Sequence, residues 1–289
     1  MLKQRILTAL ILIPLVVLAV YLMPVPYFVL LVGLIVLLAG WEWTALVGIN
    51  CWTGRILFQV GLILPMLGIY FWTYILEFAA QLTNFPEIRT QSGIIEWLVV
   101  LPVLFWLLVM VLIRNTPEAF LNLKVKLSYK GLIGWFILLS AWMFFYRLKA
   151  FYGADMAMYF LVLIWLADIA AYFTGKKYGD RKLAPVISPG KTLAGFYGAL
   201  ASAVVSAVVV SLIFEFHLIV LSDFVLLSVL TVLISIYGDL FISVVKRQGG
   251  FKDSGSLLPG HGGILDRIDS IIAAAPFFYA GIYLMGGQI

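Results

Sequence analysis

The chain is a succession of apolar runs, each long enough as a helix to cross a hydrocarbon core of about 30 Å. Bounded by charged or Gly/Pro-bearing breaks, the runs fall near residues 6–23, 27–48, 56–78, 94–113, 131–147, 156–175, 193–214, 224–245 and 269–285. No water inside a bilayer satisfies backbone N–H and C=O groups, so such runs fold as helices. The pattern predicts an all-α, polytopic integral membrane protein of about nine transmembrane helices. Charged residues make up 11% of the 289, against roughly a quarter in soluble domains, and the spans leave no stretch for a separate soluble domain. The chain therefore reads as one membrane domain, 1–289, with helices of roughly 1–150 as scaffold and roughly 156–289 carrying the chemistry. Lys3 and Arg5 precede the first run as in a signal peptide, but no A-x-A-like cleavage site follows, and the run is read as a retained span. The lone cysteine, Cys51, has no partner for an intrachain disulfide and is read as a small packing residue.

Orientation follows from the basic residues. With nine spans and a cytoplasmic N-terminus, 16 of the 19 Lys and Arg fall on the cytoplasmic side, and only Arg89, Arg147 and Lys149 fall outside. The same count puts the two chemically dense breaks, Lys176 to Thr192 and Lys246 to Arg267, on the cytoplasmic face, where they can build one site.

The richest segment runs from Ser243 to Asp269. Asp266 and Asp269, three apart at the expected start of the last helix, project from one face into the positive end of its dipole. Asp239 lies about two turns before Lys246, roughly 10 Å deep by helical rise. An Asp within a span costs about 2.5–3.5 kcal/mol on insertion scales and faces a polar cavity or a partner. Three converging carboxylates repel unless a cation sits among them, and hard oxygen donors select Mg²⁺ or a similar ion. The competing reading is an interfacial salt-bridge cluster of these acids with Lys246, Arg247, Lys252 and Arg267. Six glycines between Gly249 and Gly263 permit the close backbone approach of a phosphate cradle, or simply a mobile loop. His261, between glycines, is a candidate phosphate or base contact, and equally a solvated loop histidine.

The second break ends Ser188-Pro189-Gly190-Lys191-Thr192. Its Gly-Lys-Thr is not a Walker A site, because that motif needs glycine where this chain has Pro185 and a strand where it has a span. Ser188, Lys191 and Thr192 at a helix start could hold an anion through orphan amides, or could be a plain N-cap with an anchoring lysine. Asp168, about two turns before Lys176, is a further intramembrane acid on the same side. Glu42, flanked by Trp41 and Trp43, fits an interfacial aromatic belt and is assigned no chemistry. The stripe Trp142, Phe144, Phe145 and Tyr146 is expected to face lipid or to pack.

At these residues the chain resembles the phosphatidate cytidylyltransferase family. The family pattern S-x-x-K-R-x4-K-D, a glycine- and proline-bearing stretch, then H-G-G-x-x-D-R-x-D fits Ser243, Lys246, Arg247, Lys252, Asp253, His261, Gly262, Gly263, Asp266, Arg267 and Asp269 without a gap. Ser188 to Thr192 is similar to a second family stretch, S-P-x-K-T, whose middle position is lysine in some members and Gly190 here. The resemblance implies transfer of CMP from CTP to phosphatidic acid, giving CDP-diacylglycerol and pyrophosphate with Mg²⁺ required, in phospholipid biosynthesis at the bacterial plasma membrane. Under it Asp239, Asp266 and Asp269 hold the metal, while Lys246, Arg247, Lys252, Arg267 and Lys191 hold phosphates. It also suggests a homodimer and a second cation, and it leaves no role for nucleic acid. Two other classes compete: a cation- or proton-coupled transporter using the intramembrane acids, and a transferase that consumes a CDP-lipid. The first has no need of a basic glycine loop, and the D-G-x-x-A-R pattern usual in the second is absent.

Overall fold

The computed structural model describes residues 2–255, 257 and 262–286, with side chains from residue 10 onward. Helices α1 (Leu2–Leu22) and α2 (Val25–Val47) are joined by the short break at Met23 and Pro24, followed by α3 (Trp52–Tyr70) and α4 (Trp72–Thr83). A 3-10 segment, Pro86–Gly93, leads through α5 (Ile94–Trp97) into α6 (Val100–Asn115), and the short α7 (Pro117–Leu121) precedes α8 (Leu127–Tyr178). Strands β1 (Lys182–Ala184) and β2 (Ser188–Thr192) then lead to α9 (Leu193–Ile213), α10 (Leu218–Gln248) and α11 (Leu265–Met285). Among the described residues, seven helical segments are long and apolar enough to cross a membrane. One of them, α8, has 52 residues, about 78 Å at helical rise and more than twice a hydrocarbon core. Both expected runs 131–147 and 156–175 lie in it, on either side of Gly153, whose φ of 86° and ψ of 174° break the helix in a conformation open mainly to glycine.

Three expectations change. The run 56–78 is two helices, because the chain leaves helical geometry at Phe71 (φ −92°, ψ 14°). The expected run 94–113 begins helical at Ile94 but is interrupted at Leu98 and Val99, so that α5 and α6 are separate helices within one apolar span, with Pro102 in the first turn of α6, where no backbone bond is lost. The fold is also not wholly helical, since β1 and β2 pair antiparallel, Lys182 opposite Thr192 and Ala184 opposite Ser188.

The core lies where α8, α9, α10 and α11 pack together, with α2 against α8. Small residues let these backbones approach closely, as is usual between membrane helices. A Cβ on Gly238 of α10 would sit 2.5 Å from the Ala273 Cβ of α11, and one on Gly198 of α9 would sit 2.1 Å from the Thr174 hydroxyl of α8. Trp142, Phe144 and Tyr146 are buried, so the aromatic stripe packs inward.

At the end away from the dense loops, a buried polar tie joins three helices. Arg147 of α8 is ion-paired with Glu96 of α5, and the Tyr279 hydroxyl of α11 donates to the same carboxylate. Nearby, the Lys149 ammonium donates to the carbonyls of Ala19 (3.2 Å) and Met23 (2.5 Å) at the C-terminal end of α1. Arg147→Ala would leave the Glu96 carboxylate without its cation and with the Tyr279 hydroxyl as its remaining described donor, and breaking a buried pair costs about 3–5 kcal/mol. Thermal unfolding in detergent should show a correspondingly lowered midpoint, and an unchanged midpoint would mean the tie is dispensable.

Candidate active site

The hairpin β1–β2 delivers Lys191. Extended backbone through Ser188–Thr192 carries its ammonium to 2.6 Å from the Asp239 Oδ2 of α10 and 3.3 Å from the Ile236 carbonyl. Thr192 closes the hairpin and starts α9. Its hydroxyl accepts from the Gly195 N–H at 3.1 Å, an N-cap of the kind that contributes about 1 kcal/mol. Ser188 sits one strand length away, paired with Ala184, and not at the helix start where it was expected.

Between α8, the hairpin, α9 and α10 lies a cavity of about 390 Å³, within the range of small-ligand sites. Asp168, Lys176, Lys182, Lys191, Thr192 and Asp239 line its polar side, and Ala167, Phe196 and Ile236 its apolar side. Asp239 is close enough for its charge to act on both Asp168 and Asp269, and Lys191 acts on the same two acids. Arg267, exposed at the surface, also acts on Asp168. Lys191 is thus paired with Asp239, and Asp168 and Asp269 feel both charges. Lys176 and Lys182 had been read only as part of a basic break, and the structure brings them into the cavity wall.

The third expected metal ligand stands apart. Asp266, in the first turn of α11, is held by the Lys246 ammonium at 2.7 Å on Oδ1 and by the N–H groups of Ser254 (2.8 Å) and Gly263 (3.1 Å) on Oδ2. Among the described residues no three acid, His or Cys side chains form a group able to hold one ion, so the expected set of Asp239, Asp266 and Asp269 is not assembled. The reason is local, because both Asp266 oxygens already have donors. Asp269, one turn further on, accepts from the Ser270 N–H at 2.8 Å and lies toward Asp239. The donor chemistry of Asp239 and Asp269 still suits a magnesium ion, which is commonly held by one or two carboxylates with substrate phosphates and water.

Glu42 closes the other side of the loop. This α2 residue is only 4% exposed, and its carboxylate accepts from the Ser254 hydroxyl (3.0 Å), the Ile264 N–H (3.0 Å) and the Leu265 N–H (2.8 Å). It thus satisfies orphan donors at the start of α11. The fit leaves no room for a larger residue at Gly263, where a Cβ would lie 2.1 Å from the Ser254 hydroxyl and 2.3 Å from the Glu42 carboxylate. Gly262 takes a φ of 84°, which favours glycine. Sequence reasoning passed over Glu42, although the insertion cost that singled out Asp168 and Asp239 applies equally to it. Arg247, Lys252 and Asp253 are exposed beside this loop and do not line the cavity, while His261 lies outside the described residues.

The model of the cytidylyltransferase family matches residues 3–285. A Pseudomonas aeruginosa protein named phosphatidate cytidylyltransferase is 38% identical over 287 residues, covering 99% of this chain and 98% of its own. A Haemophilus influenzae protein of the same name is 36% identical over 289 residues, covering 96% and 97%. A Bacillus subtilis relative, also so named, is 44% identical over 131 residues, 44% of this chain and 47% of its own. With its model matched almost end to end and two full-length relatives above 30% identity, the chain belongs to the cytidylyltransferase family.

Proposed function

We propose that this protein is a phosphatidate cytidylyltransferase, which joins CMP from CTP to phosphatidic acid and releases pyrophosphate. The observation that carries this is the cavity where Lys191 pairs with Asp239 and Asp168 shares the wall, with Asp269 in reach of the same charges, in a chain alike over nearly its whole length to proteins of that name. A phosphate oxygen of phosphatidic acid attacks the α-phosphorus of CTP, and the bond from that phosphorus to the bridging oxygen of the β-phosphate breaks. A phosphate monoester is already largely ionised at neutral pH, so no side chain has to remove a proton. Lys191, Lys176 and Lys182 supply positive charge to the phosphates from the cavity wall, and Arg247, Lys252 and Arg267 do so from its cytoplasmic approach. When bound at Asp239 and Asp269, Mg²⁺ supplies further neutralisation of charge on the transferring and leaving oxygens. Asp266, with Lys246, holds the loop that leads into α11.

The same reading has nine spans, with α8 crossing twice, a cytoplasmic N-terminus and the site on the cytoplasmic face of a bacterial plasma membrane, where CTP is available and the lipid phosphate lies in the interface. A homodimer and a second cation belong to this proposal on the strength of the family resemblance. The transporter alternative has no comparable support, because the basic loop and the family likeness both point to phosphoryl chemistry.

The test is direct. Purified protein in mixed micelles with phosphatidic acid, labelled CTP and Mg²⁺ should form labelled lipid, and EDTA should stop it. If the protein forms no labelled lipid but moves ions across proteoliposomes, the transferase reading is lost.

A further inference from the structure

We infer that Glu42 is a positioning residue for cytidylyl transfer, an α2 carboxylate that fixes the Ser254 loop and the first turn of α11 and thereby sets Asp269 against Asp239. The inference rests on the proposed reaction and deepens it. Its basis is the way two carboxylates grip one loop from opposite sides. Ser254 gives its hydroxyl to Glu42 and its N–H to Asp266, so a single buried residue spans the two. Directly after the loop, Glu42 takes the Ile264 and Leu265 amides, and Asp266 takes the Gly263 amide. Three consecutive backbone donors are therefore shared between a scaffold helix and the helix that carries Asp269. The N-terminal half thus supplies part of the site, although Glu42 touches neither the cavity nor its lysines.

A glutamine at position 42 keeps the volume but offers only one accepting oxygen. Whichever way its amide turns, its NH₂ opposes a backbone N–H, Ile264 in one orientation and Leu265 in the other. One orphan donor is then lost and the first turn of α11 shifts, while the lysines that meet the phosphates stay in place. A residue that orients others in this way costs about 10- to 100-fold in activity when removed. The loss should appear in kcat, with the KM for CTP close to wild type, because ground-state binding is retained.

The experiment compares wild type, Glu42→Gln, Ser254→Ala and the double variant in the labelled-lipid assay, each checked for a monodisperse elution profile and thermal unfolding. Expected are a kcat loss of that size for Glu42→Gln at near-wild-type KM, a smaller loss for Ser254→Ala, and a double variant no worse than Glu42→Gln, since both act through the same link. A folded Glu42→Gln protein with wild-type kcat, or one altered in KM alone, overturns the inference. Should Glu42→Gln fail to fold, Ser254→Ala decides: reduced kcat in a folded protein supports the role, and wild-type kcat removes it. An inactive wild type would sink the transferase reading itself, and this inference with it, whereas active wild type with an indifferent Glu42 sinks only the latter.

Discussion

Asp239→Asn and Asp269→Asn are each expected to abolish formation of labelled CDP-diacylglycerol while leaving the protein folded. Both substitutions are nearly isosteric, so packing at the α10–α11 contact, where Gly238 meets Ala273, is kept. What is removed is negative charge beside Lys191, which pairs with Asp239 and acts on Asp168 and Asp269. With Asp239 neutral, the ammonium loses its 2.6 Å partner and no longer has a fixed place in the cavity wall. With Asp269 neutral, one of the two carboxylates proposed to hold a hard cation loses its charge. Asp266→Asn should behave differently. Its carboxylate serves Lys246 and two backbone amides, so that variant should lose thermal stability as well as activity. The labelled-lipid assay beside a thermal melt separates the cases, and wild-type turnover from either of the first two variants would place the chemistry elsewhere.

The second large effect is expected at Lys191. Lys191→Met keeps the aliphatic stem but removes the only charge that β2 carries into the cavity. The loss of one preorganised donor to a charged transition state costs about 10²–10³-fold in kcat, and kcat/KM should fall at least as far. Lys191→Arg should restore little, because a planar guanidinium cannot replace an ammonium set 2.6 Å from Asp239 and 3.3 Å from the Ile236 carbonyl. The Thr192 cap on α9 is untouched by either change, but Lys191→Met removes the 2.6 Å partner of Asp239, so the unfolding midpoint should fall for that variant and thermal unfolding must show that it is still folded at the assay temperature. Steady-state kinetics with CTP varied would check this, and a Lys191→Met enzyme within threefold of wild type would exclude the lysine from phosphate binding.

Much of this was legible from residue order because a bilayer enforces simple rules. Apolar length gave the helices, and the cost of an intramembrane acid picked out Asp168 and Asp239 before any contact was known. The spacing of Asp266 and Asp269 placed both at the start of α11, but it could not show that they serve different partners. That depends on Lys246 and on two loop amides reaching back to Asp266. The hairpin was hidden because Pro185 and Pro189 read as loop residues and no strand pattern precedes them. Glu42 was missed for a similar reason, since its partners lie more than 200 residues away and the neighbouring tryptophans offered a sufficient account of it. The break at Phe71 fell inside a run whose hydrophobicity continues through it, whereas the break at Gly153 lies between the expected runs 131–147 and 156–175.

The grip of Glu42 on the first turn of α11 and the tie of Tyr279 to Glu96 near its other end have a joint consequence for how the enzyme meets membranes of different thickness. A free transmembrane helix answers hydrophobic mismatch by tilting. One pinned near both ends to the scaffold cannot do so without breaking buried hydrogen bonds. Thickness changes must then be absorbed by the more peripheral α3 and α4, or by local deformation of lipid around the protein. The separation of Asp269 from Asp239 is thereby insulated from the bilayer, which suits an enzyme whose own product alters the lipid around it.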